Sequence, residues 1–340
     1  MRSSYKTKFG QVLQGDSLQL LEGDLAQQYR NKFQLIITSP PFPLNRKKQY
    51  GNLQSQEYKK WFIDLGQIFQ NLLKEDGSLV IELGNAWQHK RPVQSLLHLE
   101  SLLGLVQSPD NDLRLIQEFI CYNPSRLPSP AQWVTVNRIR TIDSYTHVWW
   151  LAKSDYPKAD NSKILRPYSR SMQSLLKRQS FNDGPRPSGH NISKSSFLTD
   201  HQGSIMPNFL EFESIDADKE PRLPHNILSF GNSVSNDNFL RRCRQNNIQP
   251  HPARMSPKLV NFFIEFLTDP SDSVLDPFAG SNTTGYCAEK KKRQWLAIEI
   301  DKQYCQQSKL RFADSDFKKP SARKLKNKNR DLHYVLKSAN

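Results

Sequence analysis

Two apolar strands that each end in a short, unusual turn constrain the fold of this chain more than any other feature. The first covers residues 33–38 and runs into Ser39-Pro40-Pro41-Phe42. The second covers residues 273–278 and runs into a turn of small residues that continues to Gly285. Apolar strands alternate along the chain with segments of helical periodicity, which indicates an α/β core with a mostly parallel sheet.

The hydrophobic pattern predicts further elements around these two segments. Residues 57–73 place apolar side chains at three- and four-residue steps, which predicts an amphipathic helix. Asp76-Gly77 then predicts a turn into a strand at 78–83. The remaining predicted elements are a strand at 146–151, a helix at 257–267, a helix at 283–292 and a strand at 295–300.

Composition bounds the class of protein. The 340 residues are enough to bury one large core or two ordinary ones. A formal net charge of +15 favours a polyanionic partner, with a solvated basic surface as the alternative. The four cysteines form no CxxC pair, which is typical of reduced thiols, and no metal site is predicted. Since no apolar run approaches the roughly 18 residues that span a membrane, we expect a cytoplasmic protein without a membrane partner.

The middle of the chain differs in composition from both ends. From residue 154 to 250, basic residues, Ser, Asn and Pro are mixed with single aromatics, and periodicity disappears. We interpret this stretch as a loop-rich insert outside the sheet, with a disordered linker as the alternative. The predicted organisation is a first half of the main domain at 1–153, the insert at 154–250, a second half at 251–316 and a basic tail at 317–340.

The turn after the second strand has the features of a nucleoside site. It lies beyond the carboxyl end of a strand and before a helix, where open α/β sheets bind ligands. A P-loop would place Lys and Ser or Thr after Gly285, but the chain has Tyr286-Cys287, and no GxGxxG fingerprint is present. Glu299 ends the next predicted strand, where an acid can bind both ribose hydroxyls. A cofactor without a diphosphate, such as S-adenosylmethionine, fits best; an ordinary strand–helix turn is the alternative.

The turn after the first strand fits the chemistry of an aromatic amino group. The exocyclic nitrogen of cytosine or adenine is a poor nucleophile because its lone pair is delocalised into the ring. The Ser39 hydroxyl and the Pro40 carbonyl are acceptors for its two hydrogens, and the two prolines pre-organise the turn. Phe42 offers a face for an extruded base. Glu82 is a candidate to polarise Ser39 or accept a proton; a solvent-facing strand end and a merely structural corner are the alternatives.

The chain lacks the residues that two other routes of base modification require. A ring-carbon methyltransferase uses a Cys after a Pro as its nucleophile, whereas Cys121 lies between Ile120 and Tyr122. The His-x-Glu and Pro-Cys-x-x-Cys pattern of a zinc deaminase is missing. Direct displacement at a methyl group is the route that remains.

In this order, the two segments resemble the amino-methyltransferases of restriction–modification systems, specifically the permuted beta class. That class places its Ser-Pro-Pro-aromatic motif before the cofactor motif, with a target-recognition region between them. The resemblance covers about residues 10–312. It implies a Rossmann-like S-adenosylmethionine-dependent methyltransferase fold. The expected architecture is a mostly parallel twisted sheet with helices on both faces, a circularly permuted motif order and a loop-rich target-recognition insert.

The resemblance and the charge pattern together assign residues to three roles. Candidate catalytic residues are Ser39, Pro40, Pro41, Phe42 and Glu82, where position 82 has Glu in place of the Asp of close relatives. Implied cofactor-binding residues are Asp16, Thr38, His251, Lys258, Asp276, Phe278, Gly280, Asn282, Thr283 and Glu299. Candidate DNA-binding residues are Arg46, Lys47, Lys48, Arg166, Arg170, Arg186, His190 and Lys194.

The residue before Pro-Pro also bears on the substrate. N6-adenine enzymes of this superfamily usually carry Asp or Asn there, whereas N4-cytosine enzymes usually carry Ser. The resemblance therefore implies methyl transfer from S-adenosylmethionine to N4 of a flipped cytosine in double-stranded DNA. It further implies a monomer, with a cognate restriction endonuclease as a functional rather than physical partner. Alternatives are N6-adenine methylation by the same fold, methylation of RNA or a protein amide, and DNA binding without catalysis.

Overall fold

The computed structural model describes residues 2–41, 55–123, 126–180, 198–211 and 237–312. Their strands form one nine-stranded sheet. In chain order these are β1 (Arg2–Lys6), β2 (Gly10–Gln14), β3 (Phe33–Thr38), β4 (Leu73–Gly84), β5 (Arg114–Tyr122), β6 (Tyr145–Ala152), β7 (Phe209–Glu211), β8 (Ser273–Asp276) and β9 (Gln294–Glu299). Their order across the sheet is β1-β2-β9-β8-β3-β4-β6-β5-β7.

Helices cover both faces of the sheet because the central strands are apolar on both sides. Leu35 and Ile37 of β3 pack with Phe263 in one buried cluster, while Ile36 packs with Phe69 in a second cluster on the other face. The helices are α1 (Ser17–Glu22), α2 (Asp24–Gln28), α3 (Ser55–Leu72), α4 (Leu97–Gln107), α5 (Arg170–Arg178), α6 (Asn238–Gln245), α7 (Pro257–Leu267), α8 (Thr283–Lys290) and α9 (Lys302–Ser308). The expected three-layer α/β architecture is confirmed.

The two turns singled out in the sequence meet at a reversal of strand order. Strands β2, β9, β8, β3 and β4 are parallel, and β8 lies directly beside β3. From this pair the chain continues in opposite directions, from β3 to β4 and from β8 to β9. Such a reversal opens a crevice at the carboxyl ends of the two strands, which is where doubly wound sheets bind ligands.

The structure confirms several of the predicted helices and strands, whereas one predicted turn is absent. The strand at 33–38 and the helix at 257–267 have the predicted bounds. The predicted turn at Asp76-Gly77 lies inside β4, which begins at Leu73 and pairs with β3 through an irregular register. The Asp76 carbonyl accepts hydrogen bonds from the Gln34 side chain at 3.0 Å and from the Lys158 backbone at 2.9 Å. These tertiary contacts hold the turn-forming residues in the strand.

The insert contributes to the sheet, which corrects the expectation that it lies outside. Strand β7 falls within residues 154–250 and pairs in parallel with β5. The Asn208 side chain also donates to the Glu118 carbonyl at 2.9 Å. On one face, Ile164 and Met206 pack against the same buried cluster as Phe263. A three-residue strand is too short to carry a period-two signal, so the sequence pattern did not reveal it.

Three observations hold across the part of the chain that the structure describes. None of its helices is long and apolar enough to cross a lipid bilayer. Its His, Cys, Asp and Glu side chains form no group of three suited to a metal ion. The cysteines are buried free thiols, and burial raises the pKa of Cys287 to about 12.

Candidate active site

A buried carboxylate joins the two turns. Asp276, at the end of β8, is 1% exposed and accepts a hydrogen bond from Thr38 Oγ1 of β3 at 2.9 Å. It also accepts from Thr284 Oγ1 at 2.6 Å and from the Phe278 backbone at 3.1 Å. Burial raises the pKa of Asp276 to about 6, although all three hydrogen bonds favour the charged form. Asp276 therefore fixes the turn after β8 against the end of β3.

The loop between β8 and α8 is shaped for close approach of its backbone. Gly280 has φ of +51°, and a Cβ there would lie 3.3 Å from the imidazole ring of His251. Asn282 is left-handed and caps α8, its Oδ1 accepting from the Gly285 backbone at 2.9 Å. Thr283 is buried as the first residue of α8. The side chains of Asn282 and Thr283 are thus turned into the protein, and a ligand would meet the backbone of this loop.

Glu299 lies beside the loop at the end of β9. Its Oε2 accepts from the Gly280 backbone at 2.8 Å, and its Oε1 accepts from the Asp301 backbone at 2.8 Å. Burial raises the pKa of this carboxyl. Each oxygen of a carboxylate has two lone pairs, so acceptor capacity remains for hydroxyl groups of a ligand. The structure brings the predicted Gly280 and Glu299 into direct contact.

The Gly15-Asp16 segment and His251 meet the same loop from two sides. The Gly15 backbone donates to the Glu299 carbonyl at 3.0 Å, and Asp16 then caps α1 through the Gln19 backbone at 3.1 Å. His251 packs edge-on against Tyr304, with ring centroids 4.4 Å apart. These contacts place His251 and Glu299 beside Gly280, and Asp16 follows the Gly15 that binds the Glu299 carbonyl. Contact of their side chains with a cofactor stays a prediction.

Two other predicted cofactor residues occupy the borders of this region. Phe278 is partly buried, and its ring lies 5.7 Å from that of Trp61 on α3. Lys258 is exposed in the first turn of α7. Pro257, the residue before it, accepts a hydrogen bond from the Cys287 thiol of α8 at 3.6 Å. Contact of either side chain with a ligand stays a prediction.

The Ser-Pro-Pro turn leaves β3 directly beside Asp276. Pro40 is buried, facing apolar side chains that include Phe62 and Phe69 of α3. Ser39 and Pro41 are partly exposed. The buried proline anchors the turn while the flanking residues remain accessible at the carboxyl edge. Phe42 lies outside the described residues.

Glu82 is a buried carboxyl near the end of the adjacent strand β4. It is 8% exposed, which makes the alternative of a solvent-facing strand end wrong. Thr146 Oγ1 of β6 donates to its Oε1 at 3.1 Å. Burial raises the pKa of Glu82 to about 7, with the Thr146 hydrogen bond and the nearby charge of Arg126 opposing that shift. A carboxyl with this pKa exchanges protons near neutral pH.

Four residues that the sequence did not single out hold the loop in place. Thr284 binds Asp276, and the Ser17 hydroxyl donates to the Pro277 carbonyl. Arg311 donates to the Ser281 carbonyl at 2.6 Å and to its hydroxyl at 2.8 Å. The Asn282 amide donates to the Tyr5 hydroxyl at 3.1 Å. Thr284 adjoins the predicted Thr283, whereas Tyr5 and Arg311 lie outside this loop and belong to no motif that the sequence showed.

The predicted DNA-binding residues are only partly within the described chain. Arg170 is exposed at the start of α5, and Arg166 is partly buried. The backbone of Arg166 pairs with Ser204 through hydrogen bonds of 3.0 and 2.9 Å. The other candidates, Arg46, Lys47, Lys48, Arg186, His190 and Lys194, lie outside the described residues.

Comparison with known proteins gives relatives over most of the chain. Type II methyltransferase M.PvuII of Proteus hauseri is 38% identical over 317 residues, which cover 93% of this chain and 87% of the relative. A solved structure of PvuII DNA methyltransferase, described as cytosine-N4-specific, matches with a TM-score of 0.69 and 34% identity. That match covers 93% of this chain and 90% of the solved one.

A more distant structure supports the fold alone. M1.HpyAVI, solved in complex with SAM, matches with a TM-score of 0.51 and 18% identity, covering 89% of this chain and 98% of that one. A family profile of DNA methylases matches residues 33–310, a span that includes both turns and the insert. With the sheet order, the paired turns and these matches in agreement, the chain belongs to the N6/N4 DNA methylase family.

Proposed function

We propose that this protein transfers a methyl group from S-adenosylmethionine to the N4 amino group of cytosine in double-stranded DNA. The observation that carries the proposal is the 2.9 Å hydrogen bond from Thr38 to Asp276, which holds the Ser39-Pro40-Pro41 turn beside the loop after β8. The related PvuII enzyme is cytosine-N4-specific by its description. Ser rather than Asp before Pro-Pro favours the same substrate here.

The residues around the loop fit S-adenosylmethionine. Glu299 retains acceptor capacity for the two ribose hydroxyls. Asp16 follows Gly15, whose backbone donates to the Glu299 carbonyl. Gly280 allows the backbone to approach the ligand without a side chain in between. The cofactor supplies a methyl group on a sulfonium, which makes that carbon electrophilic. The protein then has to position the attacking nitrogen and accept the proton that this nitrogen loses.

Ser39 and Pro40 are the residues proposed to position that nitrogen. Their side-chain hydroxyl and backbone carbonyl accept the two amino hydrogens, which localises the nitrogen lone pair for attack. Pro40 is buried, so the turn keeps its geometry without the substrate. Glu82, with its pKa raised to about 7, is the candidate to receive the proton that the nitrogen must lose. Phe42 is proposed to stack on the flipped base.

The proposed oligomeric state and partner protein follow from DNA as the substrate. We infer a monomer that methylates each strand in turn, with the insert at 154–250 reading the target. A cognate restriction endonuclease would be a functional partner that attacks the same sequence when unmethylated, and both would work in the cytoplasm. The name of the related enzyme, a type II methyltransferase, supports such a pairing. The division into a catalytic half at 1–153 and a cofactor half at 251–316 is supported by the position of β8, which pairs with β3 on one side and with β9 on the other.

The product of the reaction tests the proposed function directly. DNA incubated with the protein and S-adenosylmethionine is digested to nucleosides and analysed by mass spectrometry. We expect N4-methylcytosine, since Ser39 precedes Pro-Pro. N6-methyladenine would refute the assignment of cytosine, and cofactor binding without any methylated nucleoside would refute methyl transfer to DNA.

Ser39→Ala should lower turnover and leave cofactor binding unchanged. The variant loses one polar contact to a nitrogen that becomes positive, worth about 1.5–3 kcal/mol, or roughly a ten- to hundredfold loss of rate. Single-turnover kinetics with saturating cofactor measures the effect. Ser3→Ala on strand β1 is the matched control and should keep the normal rate. A normal rate in Ser39→Ala would remove Ser39 from the mechanism.

Glu299→Gln should weaken cofactor binding. The amide loses acceptor capacity at the proposed ribose site, which costs about 1–3 kcal/mol and raises the dissociation constant by roughly 5- to 150-fold. Glu289→Gln is a matched control, because both side chains are 8% exposed and Glu289 also accepts from protein donors, Thr7 Oγ1 at 2.6 Å and Trp295 Nε1 at 2.7 Å. Calorimetry with S-adenosylmethionine should separate the two variants; equal affinities would exclude a direct role of Glu299.

Glu82→Gln should remove a pH dependence of stability. The pKa of this carboxyl rises from 4.5 when exposed to about 7 in the folded protein. Its contribution to the free energy of unfolding is therefore fully present at acidic pH and is lost as the pH rises through about 7. Between about pH 5 and about pH 8, the wild type should lose roughly 2–3 kcal/mol of unfolding free energy relative to the variant.

Urea unfolding at the two pH values measures this difference. Glu100→Gln replaces an exposed Glu on α4 and should leave the pH dependence of the wild type intact. If Glu82→Gln retains that dependence too, the carboxyl is ionised in the folded protein over this range. Its pKa would then be well below neutral pH, which makes it a weaker base than the proposed proton acceptor.

A further inference from the structure

Two segments without an assigned role leave the sheet at the same edge as the candidate site. Strand β4 is parallel to β3, so the residues after Gly84 lie at the carboxyl edge with Ser39. Strand β5 runs in the direction of β4, because both are antiparallel to β6. The described part of the connection from β5 to β6, residues 126–144, therefore emerges at this edge as well.

The segment after β4 is a short hairpin with a basic tip. Its two sides are joined by hydrogen bonds from the Gln88 backbone to the Val93 carbonyl and from the Ser95 backbone to the Ala86 carbonyl, both at 2.9 Å. The tip is His89-Lys90-Arg91, all exposed, and Lys90 has a left-handed φ of 57°. We call residues 86–95 the basic hairpin.

Arg140 fixes the basic hairpin to the β5–β6 connection. Its Nη1 donates to the Pro92 carbonyl at 2.8 Å, and its guanidinium lies 5.9 Å from the centre of the Trp87 ring. Its Nη2 is paired with Asp143 at 3.3 Å. The charge of Arg140 is thus used inside the protein, and Asp143, the one acid of residues 126–144, is neutralised by it. Arg138, two residues earlier, is exposed.

The exposed surface of the two segments is basic and partly apolar. Residues 85–96 contain Lys90 and Arg91 and no acid. In the β5–β6 connection, Val136 and Ile139 flank Arg138 and are 68% and 60% exposed. Positive charge on a segment whose own sequence contains no acid attracts a polyanion. Apolar side chains among basic ones suit a partner with both charged and apolar parts, such as the phosphates and sugars of DNA.

The basic hairpin and the described part of the insert contact opposite faces of the sheet. The hairpin continues into α4, whose Leu97 and Leu105 pack in the buried cluster that contains Phe62 of α3. Ile164 and Met206 of the insert pack in the cluster on the opposite face of the sheet. A duplex that presents a base to Ser39 between these faces would pass the hairpin on one side and the insert on the other.

We propose that the basic hairpin binds the phosphate backbone of duplex DNA through Lys90 and Arg91, across the catalytic edge from the insert. The proposal rests on the proposed function, since it takes duplex DNA as the substrate. Contacts to phosphates fix the position of the duplex without reading its sequence. The hairpin would thus hold the duplex in place for whichever bases the insert reads.

The salt dependence of DNA affinity tests this contact. Each phosphate contact adds about 0.9 to the slope of log affinity against log salt concentration, so Lys90→Gln/Arg91→Gln should lower the magnitude of the slope by about 1.8. The probe is a fluorescein-labelled duplex of mixed sequence, titrated by anisotropy over a range of NaCl concentrations. Arg30→Gln/Lys32→Gln is the matched control, because this exposed pair precedes β3 at the opposite edge and removes the same charge.

The outcomes separate this proposal from the proposed function. A reduced slope in the hairpin variant with a normal slope in the control supports the contact. Equal slopes for the hairpin variant and the wild type overturn it, and so does an equal reduction in the control, which would reflect overall charge alone. The methylated nucleoside made by the wild type is measured separately. A missing product therefore refutes the enzymatic role without affecting the slope, and an unchanged slope refutes the hairpin contact without affecting the product.

Discussion

The hydrogen bonds of the buried Asp276 carboxylate are the interaction on which the site depends. They join Thr38 at the end of one strand to Thr284 at the start of the helix that follows the other. A buried carboxylate is costly, and hydrogen bonds to a charged group offset about 1.5–3 kcal/mol each. The raised pKa of Asp276 indicates that the cost of burial exceeds this gain. Burial therefore disfavours the charged form of a group that fixes the end of β3 against the loop after β8.

Much of this arrangement was predictable because it follows from local chemistry. The strand at 33–38 is apolar on both faces, and the two prolines after it exclude a continued strand, so its bounds agreed with the structure. Gly280 was assigned to the loop from its small size, and the structure gives it a φ of +51°. Glu299 ends its strand where an acid beside the loop was expected. Each of these assignments needed only residues that adjoin one another or recur with the period of a strand.

The remainder depended on tertiary contacts that no local pattern encodes. Asp76-Gly77 has the composition of a turn, yet β4 continues through it because distant donors bind the Asp76 carbonyl. Arg311 reaches Ser281 from the end of the described chain, and an isolated arginine near a basic tail gives no signal of such a role. Strand β7 is formed by pairing with β5 rather than by its own propensity. Sequence periodicity indicates which face of a helix or strand is buried, but it does not identify the element that packs against that face.

The order of the two turns along the chain is compatible with the same geometry. In a parallel sheet, two turns become neighbours when their strands pair, whatever the order in which the chain visits them. Here β3 precedes β8 by more than two hundred residues, with Thr38 and Asp276 separated by 238 positions. The insert occupies the long connection between them and returns to the sheet through β7. Because the carboxyl edge collects the ends of β3, β4, β5 and β8, the segments after all four strands are available to surround one substrate, and the basic hairpin is one of them.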